Sequence, residues 1–304
     1  MTQSRQLTLK ERYQISWYLE ADYEQKEIAE ALNRSASTIS REIRRNSRVI
    51  DDTVAVFIEV KLKLKFVPEQ ISVLLKSQLG VKVSAQSIYN YIHHPLEGRE
   101  ELAKYLPRYK VSRRRRNKKT IERKANDNRV FIDQRSEVIN NRERIGDLEV
   151  DTIVSKDSKG GALILCDRVA KYTWGVLIPD HKPSTINKAI LDTLMPIKDR
   201  IHSITSDNGF EFRDWEEIAK QLECDYYFCH PYSSWERGTI ENTNGIIRRD
   251  FPKGTNFSLV DEKEFEFRIV LMNIRPRKSI EFKTPDEVFF NRESFWDMRK
   301  RLHW

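Results

Sequence analysis

Three β-rich runs in the second half of the chain constrain its fold most strongly. GDLEVDTIV (146–154), GALILCDRV (161–169) and YTWGVLIP (172–179) are separated only by SKDSKG and AK. These linkers suit hairpins, so the runs predict three antiparallel strands. A helix is expected from about Ser184 to Lys198, then a strand at 201–207 (IHSITSD). A helix around Arg213 to Leu222 and a short strand at 224–228 (CDYYF) follow. Three strands and then alternating helix and strand predict a mixed sheet flanked by helices, an α/β domain.

Acidic residues sit at telling places in this frame. Asp151 lies inside the apolar first strand, with Glu149 two residues earlier on the same face. An acid there needs a partner or a metal ion to offset its burial. Asp207 ends the fourth strand in TSDNGFEF, where sites of open α/β sheets form. The Asn208-Gly209 turn after it leaves the carboxylate exposed; alone, this Asp reads as a turn former. Downstream, SSWERGTIENTNGIIRR (233–249) carries Glu236 and Glu241, five residues apart and so about 140° apart on a continuous helix. Glu236 stands at capping-box spacing from Ser233. Glu241 flanks an inner stripe of Ile240, Ile247 and Phe251, where it can face a cleft at the sheet; without the aspartates it reads as a solvated surface residue. Asn242, Asn244 and Gly245 are poor helix formers, and they suit close approach of a nucleic acid strand. Arg248, seven residues after Glu241, can hold a phosphate beside that acid. Two Asp and one Glu (Asp151, Asp207, Glu241) form an oxygen-only set that suits a pair of Mg²⁺ ions and phosphoryl transfer.

The first hundred residues read as short helices. Leu9 to Glu20 is amphipathic, with Leu9, Tyr13, Ile15, Ser16 and Leu19 on one broad side. In QKEIAEALNRSASTISREIRRN (25–46), Ile28, Ala29 and Leu32 fit a short helix, and Asn33 can take a left-handed turn. Ser35 or Ser37 can cap a second helix with Ile39 and Ile43 inside. That helix offers Ser37, Thr38, Ser40, Arg41, Arg44 and Arg45 outward, the pattern of a helix-turn-helix whose second helix enters a DNA major groove. A similar but less basic unit recurs at 67–94, with Pro68 opening a helix, Gly80 ending it and Ser84 capping the next. VAVFIEVKLKLKF between the two units fits strand or helix. The expected division is a helix-turn-helix domain at 1–50, a second unit at 60–100, a basic linker at 101–140 and the α/β domain with C-terminal helices at 141–304.

Charge follows the same division. Residues 1–125 hold 26 Lys+Arg against 15 Asp+Glu, whereas residues 126–304 hold 28 against 31. The basic excess peaks at RRRRNKK (113–119), where Arg113, Arg114, Arg115 and Arg116 are candidate phosphate contacts; a nuclear-localisation reading of that tract is the weaker one. A polyanion-binding front on a near-neutral body is the expectation. Cys166, Cys224 and Cys229 show no framework spacing, which points to reduced, buried thiols rather than disulfides or zinc. The polar N-terminus is not a signal peptide, and no apolar run approaches a membrane span.

These motifs together resemble the insertion-sequence-30 family of transposases, within the retroviral-integrase superfamily, along nearly the whole chain. GDLEVDTI resembles the family's first motif, TSDNGFEF its second and HPYSSWERGTIENTNGIIRRDFPKGTNF its third. RPRKSIEFKTPDEVF (275–289) is similar to its C-terminal signature. The chain departs from the family at Leu148 and Val150, where Trp and Gly are usual, and in a shorter 47–66 segment. The resemblance implies a ribonuclease-H-like (integrase core) fold behind the all-α units. It implies a DDE catalytic triad of Asp151, Asp207 and Glu241 holding Mg²⁺, with Mn²⁺ able to substitute. The implied activity is DNA transposition: binding of terminal inverted repeats, cleavage that frees a 3′-OH, and transfer of that 3′-OH into target DNA. A homo-oligomer on double-stranded DNA, cytoplasmic and nucleoid-associated with no membrane role, completes the expectation. The alternative is a DNA-binding regulator descended from a transposase, with a silent catalytic domain.

Overall fold

The computed structural model describes residues 7–21, 23–46, 50–93, 100–107, 128–156, 160–231 and 233–292. The chain divides into two compact units, residues 1–108 and 109–304.

The first unit is helical. Helix α1 (Leu9–Glu20) opens with a capping box in which Thr8 and Glu11 satisfy each other's backbone N–H. Helices α2 (Gln25–Ala31) and α3 (Ala36–Asn46) are joined by a turn in which Asn33 takes a left-handed φ of 50°. Ser35 is the cap of α3: its Oγ accepts from the Thr38 N–H at 3.2 Å. Ile15, Ile28, Ala29 and Ile39 form the core of this bundle. Leu19 faces outward and Tyr18 takes its place against that core, a departure from the expected stripe on α1. Arg34 reaches back from the turn to Glu11 at 2.8 Å and ties α1 to the α2–α3 corner.

Helix α4 (Asp52–Lys63) resolves the ambiguous run as helix. Asp51 caps it, and Val54, Ile58 and Leu62 recur every four residues to make one buried side. It packs on α5 (Pro68–Leu79), which starts on Pro68 and ends at Gly80 with φ 69°. Ser84 caps α6 (Ala85–Ile92).

The second unit is built on a five-stranded mixed sheet in the order β3-β2-β1-β4-β5. The strands are β1 (Asp147–Val154), β2 (Gly161–Asp167), β3 (Thr173–Ile178), β4 (Ser203–Ser206) and β5 (Asp225–Phe228). The first three are antiparallel neighbours, as the short linkers require; β4 then pairs parallel to β1, and β5 parallel to β4. Ahead of the sheet lies a single turn, α7 (Glu137–Asn140). Residues 128–140, assigned to the linker by sequence, belong to this unit. Phe131 bridges to Phe228, and the buried Arg135 donates to Thr205 Oγ1. Their apolar and pairing groups are Phe131, Ile132 and Ile139, a signal that the neighbouring run of cations concealed. The remainder of that basic stretch, including Arg113 to Arg116, lies outside the described residues.

Strand periodicity sorts the core into two layers. Leu148, Val150, Leu163, Leu165 and Ile204 face helices α8 (Pro183–Leu194) and α9 (Trp215–Leu222). Ala162, Ile164 and Cys166 face α10 (Gly238–Asp250) and α11 (Glu262–Asn273). A short helix, α12 (Pro285–Phe290), follows, and its Phe289 packs edge-on against Trp174. Burial of Ile240 and Ile247 in the second of these layers, at about 25 cal/mol per Å² of apolar surface, holds α10 against the sheet. Among the described residues no helix is long and apolar enough to cross a membrane.

Candidate active site

The alternation of β1 decides which of its residues can do chemistry. Leu148 and Val150 point into the α8–α9 layer, so Glu149 and Asp151 both face α10. Glu149 is fully buried. One carboxylate oxygen pairs with Arg168 at 3.1 Å, and the other accepts the Ile240 N–H at 2.8 Å. Ile240 is in the first turn of α10, where N–H groups have no partner within the helix. Glu149 therefore caps α10 from the sheet and is committed to structure.

Asp151 is more open, its side chain 21% exposed. Its Oδ2 accepts from Asn244 Nδ2 at 2.7 Å, and its Oδ1 lies 3.3 Å from Arg237 Nη1. Burial raises its pKa above the usual carboxylate value; the Arg237 charge opposes that rise, and the neighbouring Asp207 charge adds to it. Asp207 follows β4. Its Oδ1 accepts the Gly209 N–H at 2.9 Å and its Oδ2 accepts from Arg237 Nη2 at 3.0 Å. Gly209 permits this turn, since a Cβ there would lie 2.9 Å from Asp207 Oδ1 and closer still to Glu211. One guanidinium thus spans both aspartates, and its Nη1 also donates to the Val150 carbonyl at 3.0 Å.

Glu236 and Glu241 part company for a reason the sequence concealed. A 3-10 turn covers Ser234–Arg237, and α10 begins only at Gly238, so the two acids do not share one continuous helix. Ser233 makes no side-chain cap. The Glu236 carboxylate instead accepts the His230 N–H at 2.8 Å and meets its ring Nδ1 at 3.0 Å. Asp133 meets the other ring nitrogen at 2.8 Å, and the two acids raise the His230 pKa, with the Glu236 hydrogen bond the larger cause. Glu241 is exposed in the first turn of α10, one residue after the pinned Ile240 and three before Asn244. Side chains three apart on a helix are neighbours, about 5–6 Å between Cβ atoms, so Glu241 stands beside the residue that touches Asp151. Among the described residues no three Asp, Glu, His or Cys side chains are already gathered at metal-binding distance.

The residues fit a hard divalent ion. The donors are all oxygen, and the two aspartates flank one cation, the Arg237 guanidinium. The buried Asn244 Oδ1 beside Asp151 has no hydrogen-bond partner among the described residues. Asn244, expected to meet DNA, thus has its amide N–H₂ on Asp151. Arg248 donates to the carbonyls of Phe251, Pro252 and Val154, and burial lowers its pKa. On α3, Ser37, Ser40 and Arg41 are exposed and Thr38 half-buried, while the side chains of Arg44 and Arg45 lie outside the described set. Cys166 and Cys229 are buried and Cys224 half-buried, and burial pushes their thiols up to about 11, 12 and 12. The sequence reading passed over Arg237; its position four residues before Glu241, in an otherwise small and polar stretch, was the available signal.

The sheet order, with two helical layers, one acid within β1 and one just after the adjacent parallel β4, is the ribonuclease-H-like, integrase-core arrangement. The family described as helix-turn-helix domain matches residues 3–46. The transposase for insertion sequence element IS4351 of Bacteroides fragilis is 36% identical over 94% of this chain and 96% of its own length. Transposase InsI for insertion sequence element IS30A of Escherichia coli (strain K12) is 33% identical over 93% and 82%. Among solved structures, the catalytic core domain of BIV integrase aligns with 52% of this chain and 98% of its own, at 17% identity and a TM-score of 0.39. The chain belongs to the insertion-sequence-30 family of transposases and carries a helix-turn-helix domain at its front.

Proposed function

We propose that this chain cleaves DNA at the terminal inverted repeats of an insertion sequence and joins the freed 3′-OH to target DNA, with Asp151, Asp207 and Glu241 as its catalytic acids. The observation that carries the reading is the convergence of three elements: Arg237 spans Asp151 and Asp207, while Asn244, one helical turn from Glu241, bonds Asp151. Asp151, Asp207 and Glu241 would hold Mg²⁺, or Mn²⁺ in its place. The chemistry such ions supply when bound is activation of the attacking oxygen and stabilisation of the leaving one.

The chain's own groups do the positioning. Asn244 orients Asp151, the Gly209 N–H orients Asp207, and Glu149 pins the first turn of α10 to β1, which sets where Glu241 starts. Water attacks the phosphodiester at the element end in the first step and expels the element strand's 3′-oxygen as a 3′-OH; that 3′-OH attacks a target phosphodiester in line in the second and expels the target strand's own 3′-oxygen. No serine or tyrosine nucleophile and no covalent protein–DNA intermediate enter this scheme. The exposed Ser37, Ser40 and Arg41, with Thr38, Arg44 and Arg45 on the same helix, would read the terminal repeat in the major groove. Arg113 to Arg116, Asn244 and Arg248 complete the proposed DNA contacts. Two ends must be held together, so the active species is a homo-oligomer on DNA.

The test is Mg²⁺-dependent joining of a labelled terminal-repeat duplex to plasmid DNA, wild type beside Glu241→Gln. Joining lost in the variant with duplex binding retained is the expected result. Tight binding without cleavage or joining by the wild type, in Mg²⁺ or Mn²⁺, would move the assignment to a DNA-binding regulator.

A further inference from the structure

Arg237 holds a position that the proposed chemistry does not use. Its side chain is 9% exposed, and its two terminal nitrogens contact one oxygen from each aspartate, at 3.3 Å on Asp151 Oδ1 and 3.0 Å on Asp207 Oδ2. The remaining oxygens are engaged elsewhere, Asp151 Oδ2 by Asn244 and Asp207 Oδ1 by the Gly209 N–H. The two oxygens on the arginine fork are therefore the pair that a single cation bridging these carboxylates would take. A guanidinium has no lone pair to give a metal ion and repels it. Two neighbouring carboxylates repel each other unless a cation or a proton offsets their charge, and Arg237 is the cation that touches both among the described residues.

We propose that Arg237 is the resident counter-ion of the aspartate pair, holding both carboxylates oriented before a divalent ion binds, and yielding its two oxygens when the ion enters. The proposal rests on the reading that Asp151 and Asp207 are metal ligands. Its consequence has a definite sign. A residue that only shaped the site would weaken metal binding when lost, whereas a competing cation strengthens metal binding when lost.

The experiment is Mn²⁺ binding to the full chain without DNA, followed by the electron paramagnetic resonance signal of free Mn²⁺. Wild type is compared with Arg237→Gln, Arg237→Lys and Asp151→Asn. Removing one positive charge at contact distance from a partly exposed site is expected to tighten Mn²⁺ binding by at least about tenfold, or about 1.4 kcal/mol. Arg237→Lys keeps the charge but cannot fork across two carboxylates, and an intermediate gain is expected. Unchanged or weaker binding by Arg237→Gln would overturn the proposal. If that variant does not fold in a thermal scan, Arg237→Lys decides: tighter binding supports the counter-ion role, and equal or weaker binding overturns it. Asp151→Asn separates the two levels. Wild-type-like Mn²⁺ binding by it would remove the metal site itself and this proposal with it. Loss of binding by it, with Arg237→Gln unchanged, would remove only the counter-ion role.

Discussion

Glu149→Gln isolates what the buried ion pair beneath the site contributes. The amide keeps an oxygen for the Ile240 N–H and nearly the same volume, but it turns an N–H₂ toward Arg168, so the change removes both the charge and the acceptor of Arg168 Nε. Arg168 then stays almost wholly buried, its side chain 6% exposed, without the carboxylate now 3.1 Å away. Leaving one partner of a buried pair uncompensated costs about 3–5 kcal/mol. Arg168 retains its bond to the Ile139 carbonyl, so the lower end, about 3 kcal/mol, is the expectation. For a unit of this size, each kcal/mol moves the melting temperature by roughly 2–4 °C, which gives a fall of about 6–12 °C. Calorimetry of the full chain reads the shift, and hydrogen exchange of peptides covering β1 and β2 assigns the transition to the sheet. The double substitution Glu149→Met with Arg168→Met removes both charges and should recover part of the loss, the remainder being the acceptor that the Ile240 N–H loses. A fall of less than about 2 °C for Glu149→Gln would refute the reasoning, because it would mean that this pair is not desolvated.

Two further outcomes are expected. Hydrogen bonds from the Thr8 backbone and hydroxyl, with Arg34, hold the Glu11 carboxyl at about 2 against an ordinary 4.5. A depressed carboxylate contributes stability that is present above about 4.5 and is lost as pH falls through about 2; acid titration of helicity should therefore flatten in that window in Glu11→Gln, and an unchanged profile would contradict the capping role. Gly146 has φ +101°, and a Cβ there would lie 2.0 Å from the Arg200 carbonyl oxygen. Gly146→Ala should cost at least about 1–3 kcal/mol in thermal unfolding, and a neutral result would argue against this close approach of the β1 and β4 entry turns.

The local features were legible because their causes are local. Short linkers forced β1, β2 and β3 into hairpins, Asn33 and Gly80 supplied left-handed turns, and the capping serines set where α3 and α6 begin. Alternation along β1 put Glu149 and Asp151 on one face, and that face is the one against α10. Placing Glu236 and Glu241 on one helix failed because a 3-10 turn intervenes and His230 competes for Glu236. The run 54–66 stayed ambiguous because its apolar residues satisfy strand and helix periods alike; the Asp51 cap and packing on α5 decide for helix.

By itself, then, the sequence determined the succession of strands along the chain, the placement of one aspartate within the first strand and one after the fourth, and the paired helices of the first unit. Only the tertiary structure decided which of the neighbouring acids is structural and which is open. Glu149 and Asp151 differ by two residues and share a face, yet Arg168 and the Ile240 N–H close over the first while Asn244 and Arg237 leave the second partly exposed. The partners lie 19 to 93 residues away along the chain. Periodicity reports which way a side chain points, but the charge it meets there depends on chain closure over long separations, which no local pattern encodes.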